Sequence, residues 1–121
     1  MTYRDVYIAE LADGADPLDW GDGKIAPRIS PLFPQGGAAF SRLFHKVYGR
    51  EYPGTIDWTG AFATRVSKQQ IFDFIEETYG GNDWYTDAAR NPYLYVEMQT
   101  LMDCVKSLPD DKFFALMGSE I

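Results

Sequence analysis

The chain has 121 residues, 45% hydrophobic and 16% aromatic, which is enough to close one hydrophobic core and too little for two ordinary domains. Its 18 acids against 11 Lys and Arg leave a formal charge of −7, which argues against nucleic acid as a direct partner, while the apolar fraction argues against disorder. A single Cys excludes an internal disulfide framework, and with no apolar run near the ~18 residues that cross a bilayer and no basic-then-apolar start, a cytoplasmic chain without a membrane segment is expected.

Residues 2–11 are rich in β-branched and aromatic side chains, with Val6 and Ile8 on one face and Tyr7, Ala9 and Leu11 on the other, the pattern of a strand buried on at least part of both faces. Residues 13–23 gather Asp, Gly and Pro, which favour turns because Asp bonds its own backbone and Gly accepts positive φ; this is an acidic loop. The connection 24–37 carries Pro27, Pro31 and Pro34, each lacking a backbone donor, so only a short edge strand near 24–29 fits there.

Over 38–48, Phe40, Leu43, Phe44 and Val47 form one helical stripe, while Ser41, Arg42, His45 and Lys46 fall on the polar side, with Gly49 as the stop. Residues 55–66 alternate in the manner of two short strands, or one bent at Gly60. Ser67 and Gln70 have the spacing of a capping box, and the helix it opens shows Ile71, Phe74, Ile75 and Thr78 as its apolar stripe before Gly80 and Gly81. Asn91 and Pro92 open another helix, whose stripe runs Leu94, Met98, Leu101, Val105, Leu108 and closes at Pro109. Residues 113–117 are apolar on both faces and too short for a helix, as a central strand would be. The predicted fold is a single α+β domain over 1–121, a small, mostly antiparallel sheet of about 3–5 strands packed against about three helices in the order β-loop-α-β-α-α-β.

Charge is segregated along the chain, with net −5 over residues 1–23, +5 over 24–68 and −7 over 69–121. Asp13, Asp16, Asp19 and Asp22 recur every third residue, which does not match the alternate-residue ligands and closing Glu of a Ca²⁺ loop, so no metal is expected there. His45 and Cys104 are each unique, too few for a zinc site within one chain, and a dyad would need both to meet. Arg42, His45, Lys46 and Arg50 form a basic ridge that could meet phosphates or lie solvated. Gly36 and Gly37 precede a helix without any phosphate-loop motif, and Asp73, Glu76 and Glu77 read as a solvated acidic helix face rather than a catalytic pair.

Two segments suit protein docking. Trp20 in the acidic loop is framed by Asp16, Asp19 and Asp22, and residues 79–95 place Tyr79, Trp84, Tyr85, Tyr93 and Tyr95 in a glycine-hinged loop bearing Asp83 and Asp87. Tyr and Trp dominate binding hot spots because they bury large area with few torsions. The expected partner-binding residues are Asp16, Asp19, Trp20, Asp22, Asp83, Trp84, Tyr85 and Asp87, with no catalytic residue, cofactor or metal. The expected function is an acidic, immunity-like or phage anti-defence inhibitor that masks a basic surface of a target protein. Two alternatives stand beside it: a structural, homo-oligomeric protein such as a homodimer, and a small cofactor-free enzyme using Asp, Glu, Tyr and Arg.

Overall fold

A computed structural model describes residues 4–11, 25–52, 54–56 and 62–120. The elements are β1 (Arg4–Leu11), β2 (Ile25–Arg28), α1 (Gly36–Tyr48), β3 (Gly54–Ile56), β4 (Phe62–Ser67), α2 (Lys68–Tyr79), a single-turn α3 (Asp83–Thr86), α4 (Pro92–Lys106) and β5 (Phe113–Glu120). The strands form one five-stranded sheet in the order β2-β1-β5-β4-β3, with every neighbouring pair antiparallel. This is the α+β architecture the alternation patterns predict, and the doubly apolar segment at the chain's end is the central strand. The proline-containing β2 takes the sheet edge, and Pro27, which cannot donate to a ladder, lies where the β1–β2 register shifts between Ala9 and Leu11.

The period-2 pattern decides which side chains meet the helices. Val6 and Ile8 of β1, Phe62 and Val66 of β4, and Phe114 and Leu116 of β5 share one face, and the buried side chains of α1, α2 and α4, with Tyr85 of α3, join them in one core cluster. Phe40 of α1 lies 5.0 Å from Phe62, centroid to centroid, and Phe44 lies 5.8 Å from the same ring. Gly118, paired with both Val6 and Phe62, is where that ring rests, since a Cβ at 118 would stand 2.6 Å from its Cε2 atom. On the opposite face Ala9, Leu11, Ala63, Ala115 and Met117 form a second, smaller buried cluster.

Helix ends follow local chemistry. Ser67 and Gln70 complete the capping box, the Gln70 N–H donating to Ser67 Oγ at 3.2 Å and the Ser67 N–H to Gln70 Oε1 at 2.9 Å, an arrangement worth about 1 kcal/mol. Asn91 Oδ1 accepts from the Leu94 N–H at 3.2 Å, with Pro92 in the first turn. At the other end of α4, Lys68 Nζ donates to the carbonyls of Lys106 and Leu108 at 3.0 and 2.8 Å and pairs with Asp110 at 3.0 Å, so the start of α2 caps the end of α4.

The end of α1 differs from expectation. Gly49 has φ −78°, and the left-handed residue is Arg50 at φ 60°. The Glu51 N–H donates to the Lys46 carbonyl and the Arg50 N–H to the Val47 carbonyl, which is the Schellman pattern with arginine where glycine is usual. Gly36 begins α1 for a steric reason, since a Cβ there would run into the Arg4 carbonyl of β1.

Between β2 and α1 the chain keeps to β1 without strand regularity. The Ile29 N–H donates to the Ile8 carbonyl and the Phe33 N–H to the Val6 carbonyl, both at 2.9 Å. The Ile8 N–H, facing this edge, is met by the Ser30 hydroxyl at 2.9 Å, and that hydroxyl donates onward to the Pro31 carbonyl at 2.9 Å. A side chain thus supplies an acceptor that a regular strand would have taken from backbone.

Candidate functional site

The two expected docking segments fare differently. Asp16, Asp19, Trp20 and Asp22 lie outside the described residues. Residues 79–95 are described, and they form a run of capped turns rather than a hinged loop. Gly81 at φ 74° turns the chain out of α2. Asn82 Oδ1 then accepts from the Trp84 N–H at 3.0 Å and starts α3, whose existence the polar, glycine-rich sequence concealed. Asp87 Oδ1 accepts from the Ala89 N–H at 2.9 Å, and the Asp87 carbonyl takes the N–H groups of Arg90 and Asn91. Asp87 therefore shapes the turn as well as carrying charge.

The aromatic side chains of this corner divide between core and solvent. Tyr79 and Tyr85 are buried and meet edge to face with ring centroids 4.8 Å apart. Their hydroxyls point inward, Tyr79 to the Pro34 carbonyl at 2.6 Å and Tyr85 to Gln35 Oε1 at 2.9 Å. Burial raises both phenol pKa values, for Tyr79 with further help from Tyr85 and Glu97. Tyr85, expected at the interface, is instead a core residue: Gln35, at φ 48° and ahead of α1, offers the hydrogen-bond acceptor that makes its burial affordable.

Trp84, Asp83 and Asp87 do face outward. Trp84 is 49% exposed, with the Arg90 guanidinium 5.9 Å from its ring centroid. Beyond the expected set, Tyr93 and Val96 on the outer side of α4 are 82% and 60% exposed. They sit three residues apart, off the Met98–Leu101–Val105 stripe that faces the core, and that spacing is the signal by which sequence reasoning could have found them. Trp84, Tyr93 and Val96 come from two helices that pack on each other, and exposed carboxylates at Asp83, Asp87 and Glu97 accompany them. Among the described residues the other large exposed apolar side chains are Leu32 in the β2–α1 connection, Tyr48 of α1 and Phe113 of β5; Tyr48 stacks on Phe44, and the Arg65 guanidinium lies 4.1 Å from the Phe113 ring centroid.

The same corner holds a groove of about 280 Å³ between α2, α3 and α4. Ile75, Met98 and Met102 line it with Tyr79, Tyr85 and Tyr95, and Glu76, Thr86 and Gln99 supply its polar atoms.

The basic ridge is smaller than the sequence suggests. Arg42, His45 and Arg50 are exposed, but Lys46, expected on the solvent face of α1, is only 7% exposed. Its ammonium pairs with Glu77 of α2 at 2.6 Å and Glu51 at 3.1 Å and lies 5.1 Å from the Tyr52 ring centroid. Burial pushes the Lys46 pKa down, but the hydrogen bonds to Glu77 and Glu51 outweigh it, and the net shift is upward. Beside it, Ala38, Ser41, Arg42, His45 and Glu51 line a shallow hollow. The helix-face acids thus split: Glu77 is an ion-pair partner, Asp73 accepts from Gln69 at 3.0 Å, and Glu76 borders the groove.

Cys104 points its thiol at the Ile29 carbonyl, 3.5 Å away, and burial raises its pKa, which is the opposite of nucleophile activation. Among the described residues no group of three or more His, Cys, Asp or Glu is arranged to hold a metal ion, and no helix is long and apolar enough to cross a membrane. Comparison with protein-family models, curated proteins and solved structures finds no match.

Proposed function

We propose that the protein is a small acidic inhibitor of the immunity or anti-defence kind, which masks a basic functional surface of a target protein through the α3–α4 corner. The observation that carries this reading is the grouping of exposed Trp84, Tyr93 and Val96 on two adjoining helices beside Asp83, Asp87 and Glu97. Large side chains on a rigid, capped frame lose little entropy on binding, and surrounding carboxylates speed encounter with a cationic partner and disfavour anionic ones. The formal charge of −7 acts in the same direction at longer range.

The test is capture from the lysate of the native host at low and physiological salt, with the wild type, Trp84→Ala, Asp87→Lys and Tyr48→Ala proteins compared by mass spectrometry. The reading expects a basic protein whose retention falls with salt, is lost with Trp84→Ala and Asp87→Lys, and survives Tyr48→Ala. Recovery of the bait alone, or equal retention by all four proteins, would overturn it.

A further inference from the structure

Building on that docking reading, we propose that the groove between α2 and α4 seats an arginine side chain of the bound protein, with its methylenes against Met98 and Met102 and its guanidinium between the Tyr95 ring and the Glu76 carboxylate. Several observations converge on this occupant. At about 280 Å³ the groove falls just below the ~300–1,000 Å³ typical of cofactor and drug-sized sites, which suits a single long side chain. Its apolar walls are methionine and isoleucine, and thioethers adapt to an unbranched chain.

Among the described residues no Lys, Arg or His lines it, and the Glu76 carboxylate has no hydrogen-bond or ion-pair partner, whereas the carboxylate of its neighbour Glu77 is taken by Lys46. Gly80 leaves room for the Glu76 carboxyl at the rim of the groove, since a Cβ at 80 would stand 2.6 Å from its Cδ atom. The Tyr79 and Tyr85 hydroxyls are already spent on Pro34 and Gln35, so those two residues leave only ring surface for a ligand. A planar cation that stacks on aromatic rings and forks onto a carboxylate matches such a lining better than a strongly hydrated ammonium.

The experiment titrates n-butylguanidinium, and its neutral isostere n-butylurea, into protein carrying ¹³C-methyl methionine. Saturable shifts of the Met98 and Met102 methyl signals are expected, with Met117, on the other face of the sheet, as internal reference. Butylurea should bind about fivefold more weakly or worse, and Glu76→Gln should weaken butylguanidinium by a similar factor while leaving the Met117 signal in place. Equal binding of the two probes within about twofold would overturn the proposal, because the groove would then read shape alone. So would unmoved Met98 and Met102 signals. A protein that shows neither shift yet still captures its partner through Trp84 would lose the groove assignment and keep the docking face.

Discussion

Replacing Ser30 by alanine removes one hydroxyl, and its consequence can be worked from two hydrogen bonds. The hydroxyl accepts the Ile8 N–H at 2.9 Å and donates to the Pro31 carbonyl at 2.9 Å, and Ile8 is fully buried in β1. Alanine would leave that N–H without a partner, at a cost of about 1–3 kcal/mol for an unsatisfied buried donor. The expected loss is about 2 kcal/mol, or roughly 6–10 °C in Tm for a chain of this size. Urea unfolding should show a lower midpoint with an unchanged slope, because the surface exposed on unfolding hardly changes. Amide exchange should quicken at Ile8 more than at Phe33, whose N–H keeps its own bond to the Val6 carbonyl. Ser107→Ala is the control, since the Ser107 hydroxyl bonds the Cys104 carbonyl at 2.6 Å from an exposed position and should matter by less than about 0.5 kcal/mol. Equal losses for the two variants, or a loss at Ser30 without faster exchange at Ile8, would refute the reasoning.

Three further outcomes are expected. Gly118→Ala should destabilise by about 1–3 kcal/mol in urea unfolding, because the Phe62 ring it displaces is held by Phe40 and Phe44; an unchanged midpoint would mean that the ring has room to shift. Arg50→Gly should stabilise by about 0.5–1 kcal/mol, since φ 60° costs a side chain more than it costs glycine, whereas Arg50→Val should destabilise. Alkaline pH should weaken the fold: burial raises the phenol pKa values of Tyr7, Tyr52, Tyr79 and Tyr85, so above the ordinary ~10 the unfolded chain releases protons that the folded chain retains. Lys46, with its raised pKa, contributes in the same direction, its ion pairing being present below the ordinary lysine value and lost as pH climbs through the folded one. The urea midpoint should therefore be flat near neutrality and fall above about pH 10, less steeply in Tyr79→Phe; a flat profile to about pH 11 would contradict this.

What the sequence alone determined is what depends on neighbours within about a turn of helix or a few residues of strand. The capping box at Ser67, the Asn91-Pro92 start, the stripes of α1, α2 and α4, the edge character of β2 and the central character of β5 all follow from local hydrogen bonding and periodicity. The remaining features depend on partners distant in the chain. Lys46 looks solvent-facing by helical phase, and it is buried because Glu77, on another helix, neutralises it. Tyr85 and Trp84 are adjacent aromatics with the same local signals, and their opposite fates turn on Gln35, whose side chain gives the Tyr85 hydroxyl an acceptor inside the fold. The groove at Glu76 likewise exists only where α2, α3 and α4 converge. Burial of a polar group is favourable only when its bond is made, and the group that makes it is chosen by packing across the whole chain rather than by the residues beside it.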